Sequence, residues 1–214
     1  MYYICVLNDN KMRKKKIDLS LVTIHTSSLV SVDPRNDLDG TNIYNTEFIQ
    51  FITGEIKMYN LDSDNDDVII LGNFKLMLLW GTEEMIYESL DSHSRNTVTY
   101  GDELFDEDMN VKDEYYDLMC EIYENRFLIV EEININEEYR GQGVVKKLID
   151  TINLTYRCPM VLIPFPLQYQ PTHDNEEELK LLPPINGPMR KVVNSYKRCG
   201  FKKPKPSSLL MVKW

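Results

Sequence analysis

The sequence predicts an α/β fold, a mixed sheet flanked by helices, and three observations carry that expectation. Runs rich in Ile, Val, Phe and Tyr recur at Ile17–Thr26, Phe48–Tyr59 and Val68–Trp80, giving a strand-rich first half. The second half alternates strand, helix, strand, helix, strand. The composition is that of an ordinary globular chain, with 214 residues, 43% hydrophobic and 27% charged. One domain with an elaboration accounts for the length. Residues 1–125 are expected to belong to the same domain as residues 126–214.

Each element has a local reason. The runs Phe48–Tyr59 and Val68–Trp80 are joined by a polar cluster over 60–67 that suits a hairpin loop. Asp62, Asp64 and Asp66 in it imitate a calcium loop. Asp67 stands where that loop needs glycine and Asn73 where it needs glutamate, so calcium is rejected. Gly81 to about Leu104, then Val111–Glu124, read as helices, the second with Leu118, Met119 and Ile122 as its apolar stripe. Ser89-Leu90-Asp91-Ser92-His93-Ser94 interrupts or caps the first, since Ser and Asp favour such positions. His93 beside Asp91 invites a hydrolase reading. No Gly-x-Ser-x-Gly elbow accompanies it, and triad members meet through the fold rather than as neighbours, so it is set aside.

Phe127–Ile135 reads as a strand, followed by a glycine-bearing turn and a helix from about Gln142 to Tyr156. Val145, Leu148, Ile149 and Ile152 place one face of that helix on a sheet. Met160–Phe165 is a short strand among Pro159, Pro164 and Pro166, and Leu167–Pro188 is a polar insertion. A helix from about Met189 to Arg198 closes at Gly200. Strands near Phe201–Lys205 and Ser208–Lys213 finish the chain.

Several classes are excluded. No apolar run approaches the roughly 18 residues of a membrane helix. Met1-Tyr2-Tyr3-Ile4-Cys5-Val6-Leu7 lacks the features of a signal peptide, so a soluble, cytoplasmic protein without membrane partners is expected. Cys5, Cys120, Cys158 and Cys199 form no CxxC pair and suggest neither a metal nor a disulfide framework. Net charge is -10, from 24 basic and 34 acidic side chains. That balance argues against nucleic acid as a partner. Acid is densest from Asp102 to Glu138, whereas Arg190, Lys191, Lys197, Arg198, Lys202, Lys203, Lys205 and Lys213 have no acidic residue among them. Such a division suits a solvated acidic face. It also suits a field for a cationic substrate beside a basic segment for an anionic one.

The strongest local signal is Glu137-Glu138-Tyr139-Arg140-Gly141-Gln142-Gly143-Val144-Val145-Lys146. Glycines at a helix entry let backbone N–H groups converge on an anion, and the helix dipole points at the same place. The pattern is neither a Walker loop nor a dinucleotide fingerprint, since no Lys-Ser/Thr follows and Lys146 stands where a third glycine belongs.

This turn, together with Asn194-Ser195-Tyr196-Lys197-Arg198-Cys199-Gly200-Phe201, resembles the GNAT superfamily of acyl-CoA-dependent N-acyltransferases over about residues 127–214. Arg140 and Gly143 match the family's Arg/Gln-x-x-Gly-x-Gly/Ala turn, while Val145 departs from its last position. Tyr196, Gly200 and Phe201 match its Tyr-x-x-x-Gly-Phe segment. The resemblance implies a splayed sheet and acetyl-CoA as cosubstrate, with no metal. It implies backbone contacts to pantetheine near Ile133 and Ile135, and pyrophosphate on the amides of Arg140, Gly141, Gln142, Gly143, Val144 and Val145. Lys146, Lys197 or Arg198 would meet further phosphate. Tyr196 would protonate the departing thiolate and Glu131 would deprotonate the amine, with Glu132 on the opposite face of a regular strand.

The first half departs from the family's usual order, because strands precede two helices that run directly into Phe127. It and the 167–188 insertion are expected to line the acceptor site. The implied activity is N-acetyl transfer to a primary amine, either a small cationic amine or a protein lysine or N-terminus. A homodimer is compatible with it. Two other classes remain open: an inactive acyl-CoA-binding or interaction module, and a toxin- or antagonist-type acetyltransferase acting on a macromolecule.

Overall fold

The structure, a computed structural model, describes residues 16–30, 48–59, 67–93, 95–120, 126–165 and 186–213. Met1–Leu7, Asp62, Asp64, Asp66, Ser94, Ile122, His173 and most of the 167–188 insertion lie outside them.

The described residues form a six-stranded mixed sheet flanked by helices. Its strands are β1 (Val22–Val30), β2 (Ile49–Tyr59), β3 (Val68–Trp80), β4 (Arg126–Ile135), β5 (Met160–Leu162) and β6 (Met211–Lys213), adjacent in that order. Every neighbouring pair is antiparallel except β4 and β5, which run parallel. Helices α1 (Glu83–His93), α2 (Arg95–Leu104) and α3 (Asp113–Cys120) lie between β3 and β4 in the chain. The crossover from β4 to β5 is α4 (Val144–Tyr156), and α5 (Asn186–Arg198) precedes β6.

Two apolar layers hold this together. On one face Ile52, Ile56, Phe74, Leu76, Leu128 and Val130 meet Leu148, Ile149 and Ile152 of α4, with Val193 and Tyr196 of α5 beside them. On the other, Ile49, Met77, Leu79, Phe127 and Ile129 meet Ile86 and Leu90 of α1, Leu104 of α2 and Tyr115 of α3. Each fully buried Leu, Ile or Phe contributes about 1.5–3 kcal/mol relative to exposure. The contiguity of β1–β3 with β4 in one sheet explains why the strand signals of the first half are as strong as those of the second.

Several boundaries differ from the sequence expectation for identifiable reasons. β1 starts at Val22 because a 3-10 turn, Leu19–Leu21, comes first, its Ser20 amide capped by the Asp18 carboxylate at 2.9 Å. The stretch from Gly81 to Leu104 holds two helices, Glu83–His93 and Arg95–Leu104, parted at the end of the Ser89–Ser94 segment expected to interrupt or cap it. β5 is only three residues long, because Pro164 has no N–H with which to extend the ladder. Of the closing strands only Met211–Lys213 is regular. Lys202 makes a single bridge to Val212, and Pro204 and Pro206 remove donors from the stretch between. In α4 it is Val144, rather than Val145, that joins Leu148, Ile149 and Ile152 in full burial. No helix among the described residues is long and apolar enough to cross a membrane.

Candidate active site

The parallel pair β4–β5 is where the sheet opens. Among the described residues only Leu128 with Met160 and Ile129 with Val161 are in register, and β4 then continues to Ile135 paired there with β3 alone. The hydrogen-bond alternation shows which backbone groups this leaves bare. The Asn136 amide bonds the Leu71 carbonyl at 2.9 Å across the Gly72–Ile135 pair, so Asn134 directs its own backbone toward β3. Ile133 and Ile135 therefore turn theirs to the open side. The Ile135 carbonyl accepts Arg140 Nε at 2.7 Å. The Ile133 N–H and C=O and the Ile135 N–H have no partner among the described residues.

A β-bulge interrupts β4 at the same level. Lys75 pairs with Glu132 and Leu76 with Val130, so Glu131 is the extra residue. The expected alternation of Glu131 and Glu132 is thereby broken, because the strand is not regular there. Both carboxylates act on the Lys75 ammonium, and Glu132 Oε2 lies 2.9 Å from its Nζ. The bulge places Glu131 at the mouth of the splay. Desolvation raises the Glu131 carboxyl above the ordinary carboxylate range although the residue surface is exposed, with Lys75 opposing the shift and Glu132 adding to it. Over the Lys75–Glu132 pair runs a groove of about 530 Å³ lined by His25, Thr53, Glu55, Asn73, Lys75 and Glu132.

The glycine turn lies at the far end of β4. A 3-10 turn, Glu137–Tyr139, leads to Arg140, and Gly141 and Gly143 adopt φ of 76° and 88°. Those positive values explain why the sequence has glycine at both positions. Gly143 caps α4 with no side chain, and its carbonyl accepts the Lys147 amide at 3.0 Å. The amides of Gly141, Gly143, Val144, Val145 and Lys146 make no hydrogen bond among the described residues. They form a set of donors at a helix start, with the positive end of the dipole behind them.

The side chains of the turn are used structurally. Arg140 ties the turn to β4 through Ile135. Gln142 accepts the Ile17 amide at 3.1 Å and donates to the Glu138 carbonyl at 3.3 Å. Leu19 covers Gly143 from the same segment, its Cδ1 lying 3.2 Å from where a Cβ would stand. Lys146 is ion-paired to Asp150 one turn along the helix, and Lys213 reaches the same carboxylate at 3.2 Å. Val145 is half-buried and Lys197 exposed.

Tyr196, on α5, packs edge-on against Phe201 with ring centroids 5.7 Å apart. Burial pushes its hydroxyl up to about 12, and that hydroxyl has no hydrogen-bond partner among the described residues. Tyr100 of α2, which sequence reasoning passed over, comes from the opposite layer. It is 6% exposed, accepts the Ile163 amide at 3.3 Å, and feels both Glu131 and Tyr196 electrostatically. The opening thus brings Glu131, Tyr100 and Tyr196 into one neighbourhood, with Lys75 beside Glu131. A signal for Tyr100 was its helical spacing from Thr97 and Leu104, both buried, since a buried phenol needs a partner. A signal for Lys75, also passed over, was its charge within the apolar run Phe74–Leu79.

Other candidates fall elsewhere. His93 packs with its ring tilted 39° against Phe51, centroids 4.6 Å apart, and Cys199 is 5% exposed, in the α4-side core. The acidic stretch follows a separate groove of about 620 Å³ lined by Tyr87, Asp102, Asp106, Glu107, Asp108 and Lys112. No group of His, Cys, Asp and Glu among the described residues could hold a metal ion.

No protein-family model and no curated protein matches the chain. A solved structure described as "The crystal structure of KacTA-DNA complex" is similar at 10% identity and a TM-score of 0.34, over 89% of this chain and 91% of that one. A likeness of that size leaves the functional assignment to the chain's own residues.

Proposed function

We propose that the chain is an N-acyltransferase that moves an acetyl group from acetyl-CoA to a primary amine. The observation that carries the reading is two sets of backbone groups with no partner among the described residues. One is at Ile133 and Ile135 on the open side of β4, and the other, beyond the hydrogen-bonded turn over 136–140, is the amides of Gly141, Gly143, Val144, Val145 and Lys146 at the start of α4. An amide-bearing arm ending in a diphosphate meets the two sets in order, the arm along the strand and the diphosphate on the helix start.

Residue roles follow from position and protonation. The Glu131 carboxylate takes a proton from the ammonium form of the acceptor, directly or through water, so that the amine lone pair can attack the thioester carbon. The C–N bond forms and the C–S bond breaks. Tyr196, a phenol that burial keeps protonated well beyond neutral pH, gives its proton to the departing thiolate, and the second proton that the nitrogen loses as the amide forms restores the phenol. Lys75 opposes the rise that burial imposes on the Glu131 carboxyl. The groove lined by Lys75 and Glu132, the two residues whose charges act on Glu131, is the approach for a polar acceptor.

A binding module without turnover is favoured by one observation: Val145, β-branched, stands where the resemblance has Gly or Ala. One experiment separates the two. Acetyl-CoA should raise the melting temperature, as any ligand of the folded state does. A panel of small amines and lysine peptides should then release free CoA thiol. Stabilisation without thiol release from any amine selects the binding module; no stabilisation at millimolar acetyl-CoA removes both.

A further inference from the structure

We infer that Tyr100 is the wedge that holds β4 and β5 apart, its hydroxyl taking the hydrogen bond that would otherwise continue the sheet. The register defines the missing bond. The Leu128 amide bonds the Pro159 carbonyl at 2.8 Å, and the Leu128–Met160 and Ile129–Val161 pairs follow. One further step of that parallel ladder would pair Val130 with Leu162 and send the Ile163 N–H to the Val130 carbonyl. The Ile163 N–H instead goes to Tyr100 Oη at 3.3 Å. The very donor released where the sheet parts is the one that Tyr100 captures.

The surroundings make this a defined position. Tyr100 is anchored in the apolar layer that also contains Val161 and Ile163. Pro164 follows, and because backbone groups alternate along β5 its missing N–H ends the ladder to β6 rather than the one to β4, so the release of the Ile163 amide from β4 is left to Tyr100. An unbonded Ile163 amide in this half-buried place would be costly, and the phenol removes that cost without closing the sheet. Burial keeps the hydroxyl protonated, so it accepts from Ile163 and retains its own proton. The Val130 carbonyl, spared by the wedge, lies one residue before Glu131 and has no partner among the described residues.

For catalysis Tyr100 is a positioning residue. By keeping the first opened step of β4 bare, it sets where the thioester half of acetyl-CoA can lie against the strand. This part rests on the acyltransferase reading; the wedge itself rests on the register.

Tyr100→Phe removes one oxygen and is the test, read in two ways. In wild-type protein the Ile163 amide should exchange slowly with solvent although it lies beyond the end of β5. In the variant, scalar coupling across a hydrogen bond should appear between the Ile163 nitrogen and the Val130 carbonyl carbon. In steady-state assays KM for acetyl-CoA should rise about three- to tenfold while KM for the amine stays constant, the size expected for one backbone-directed hydrogen bond. Fast Ile163 exchange in wild type overturns the wedge and needs no variant. A folded variant with neither the new coupling nor a changed KM overturns it equally. If wild-type protein binds no acetyl-CoA, the acyltransferase reading falls, and the exchange and coupling measurements alone decide the wedge.

Discussion

Lys75 and Glu132 face each other across β3 and β4 at 2.9 Å, and the residue that their register leaves over is Glu131. Three charged groups thus share one corner, and the ammonium opposes the rise that burial imposes on the Glu131 carboxyl. Lys75→Met removes the group that holds Glu131 down. The rising limb of rate against pH should move to higher pH, and a limb that stays in place would detach Lys75 from Glu131.

Glu131→Gln should abolish that limb and also change stability in a defined direction. The folded-state pKa of Glu131 lies above its unfolded value, so its contribution to stability is full below the unfolded pKa. It is lost as pH rises through the folded one. Relative to wild type, the variant should gain stability across that window and then level off. Denaturation midpoints in urea from pH 4 to pH 8 would measure it; a constant difference would mean that Glu131 titrates normally.

Tyr196→Phe should lower kcat and kcat/KM together while acetyl-CoA binding, measured calorimetrically, stays within about twofold, because a hydroxyl acting only on the leaving thiolate is used only in the transition state. A loss confined to binding would make it a packing residue.

Gly72→Ala tests how closely β3 and β4 approach. A Cβ there would lie 2.2 Å from the Asn134 carbonyl oxygen, so backbone must move. The expected cost is about 1–3 kcal/mol, as for overpacked sites, seen as a lower urea midpoint. An unchanged midpoint would mean that the two strands part freely.

Cys158 and Cys199 should resist alkylation by iodoacetamide in the native state. Both are buried, and burial raises both thiols, Cys158 to about 11. Rapid labelling of either, followed by mass spectrometry, would contradict that packing.

Much of this was readable from the chain. Period and composition identified β2, β3 and β4 closely, and the strands-then-helices order of the first half is the order found. Glycine at 141 and 143 signalled the turn because only glycine adopts those backbone angles at little cost. The limits were equally physical. A bulge is a matter of partner register, so Glu131 and Glu132 looked like an alternating pair. Tyr100 lay on a different element from everything it touches. β5 looked longer because apolar residues continue beyond the last ladder bond.

The placement of α1–α3 between β3 and β4 has a consequence for synthesis. As the chain leaves the ribosome, β1, β2 and β3 are complete while β4 has still to be made, and the helices must emerge before it. During that interval the thirteen-residue β3 offers a row of unsatisfied amides and carbonyls to any other extended chain. A nascent fragment ending short of Arg126 therefore carries a template for self-association, and the strand that builds the cleft is also the strand that ends the hazard.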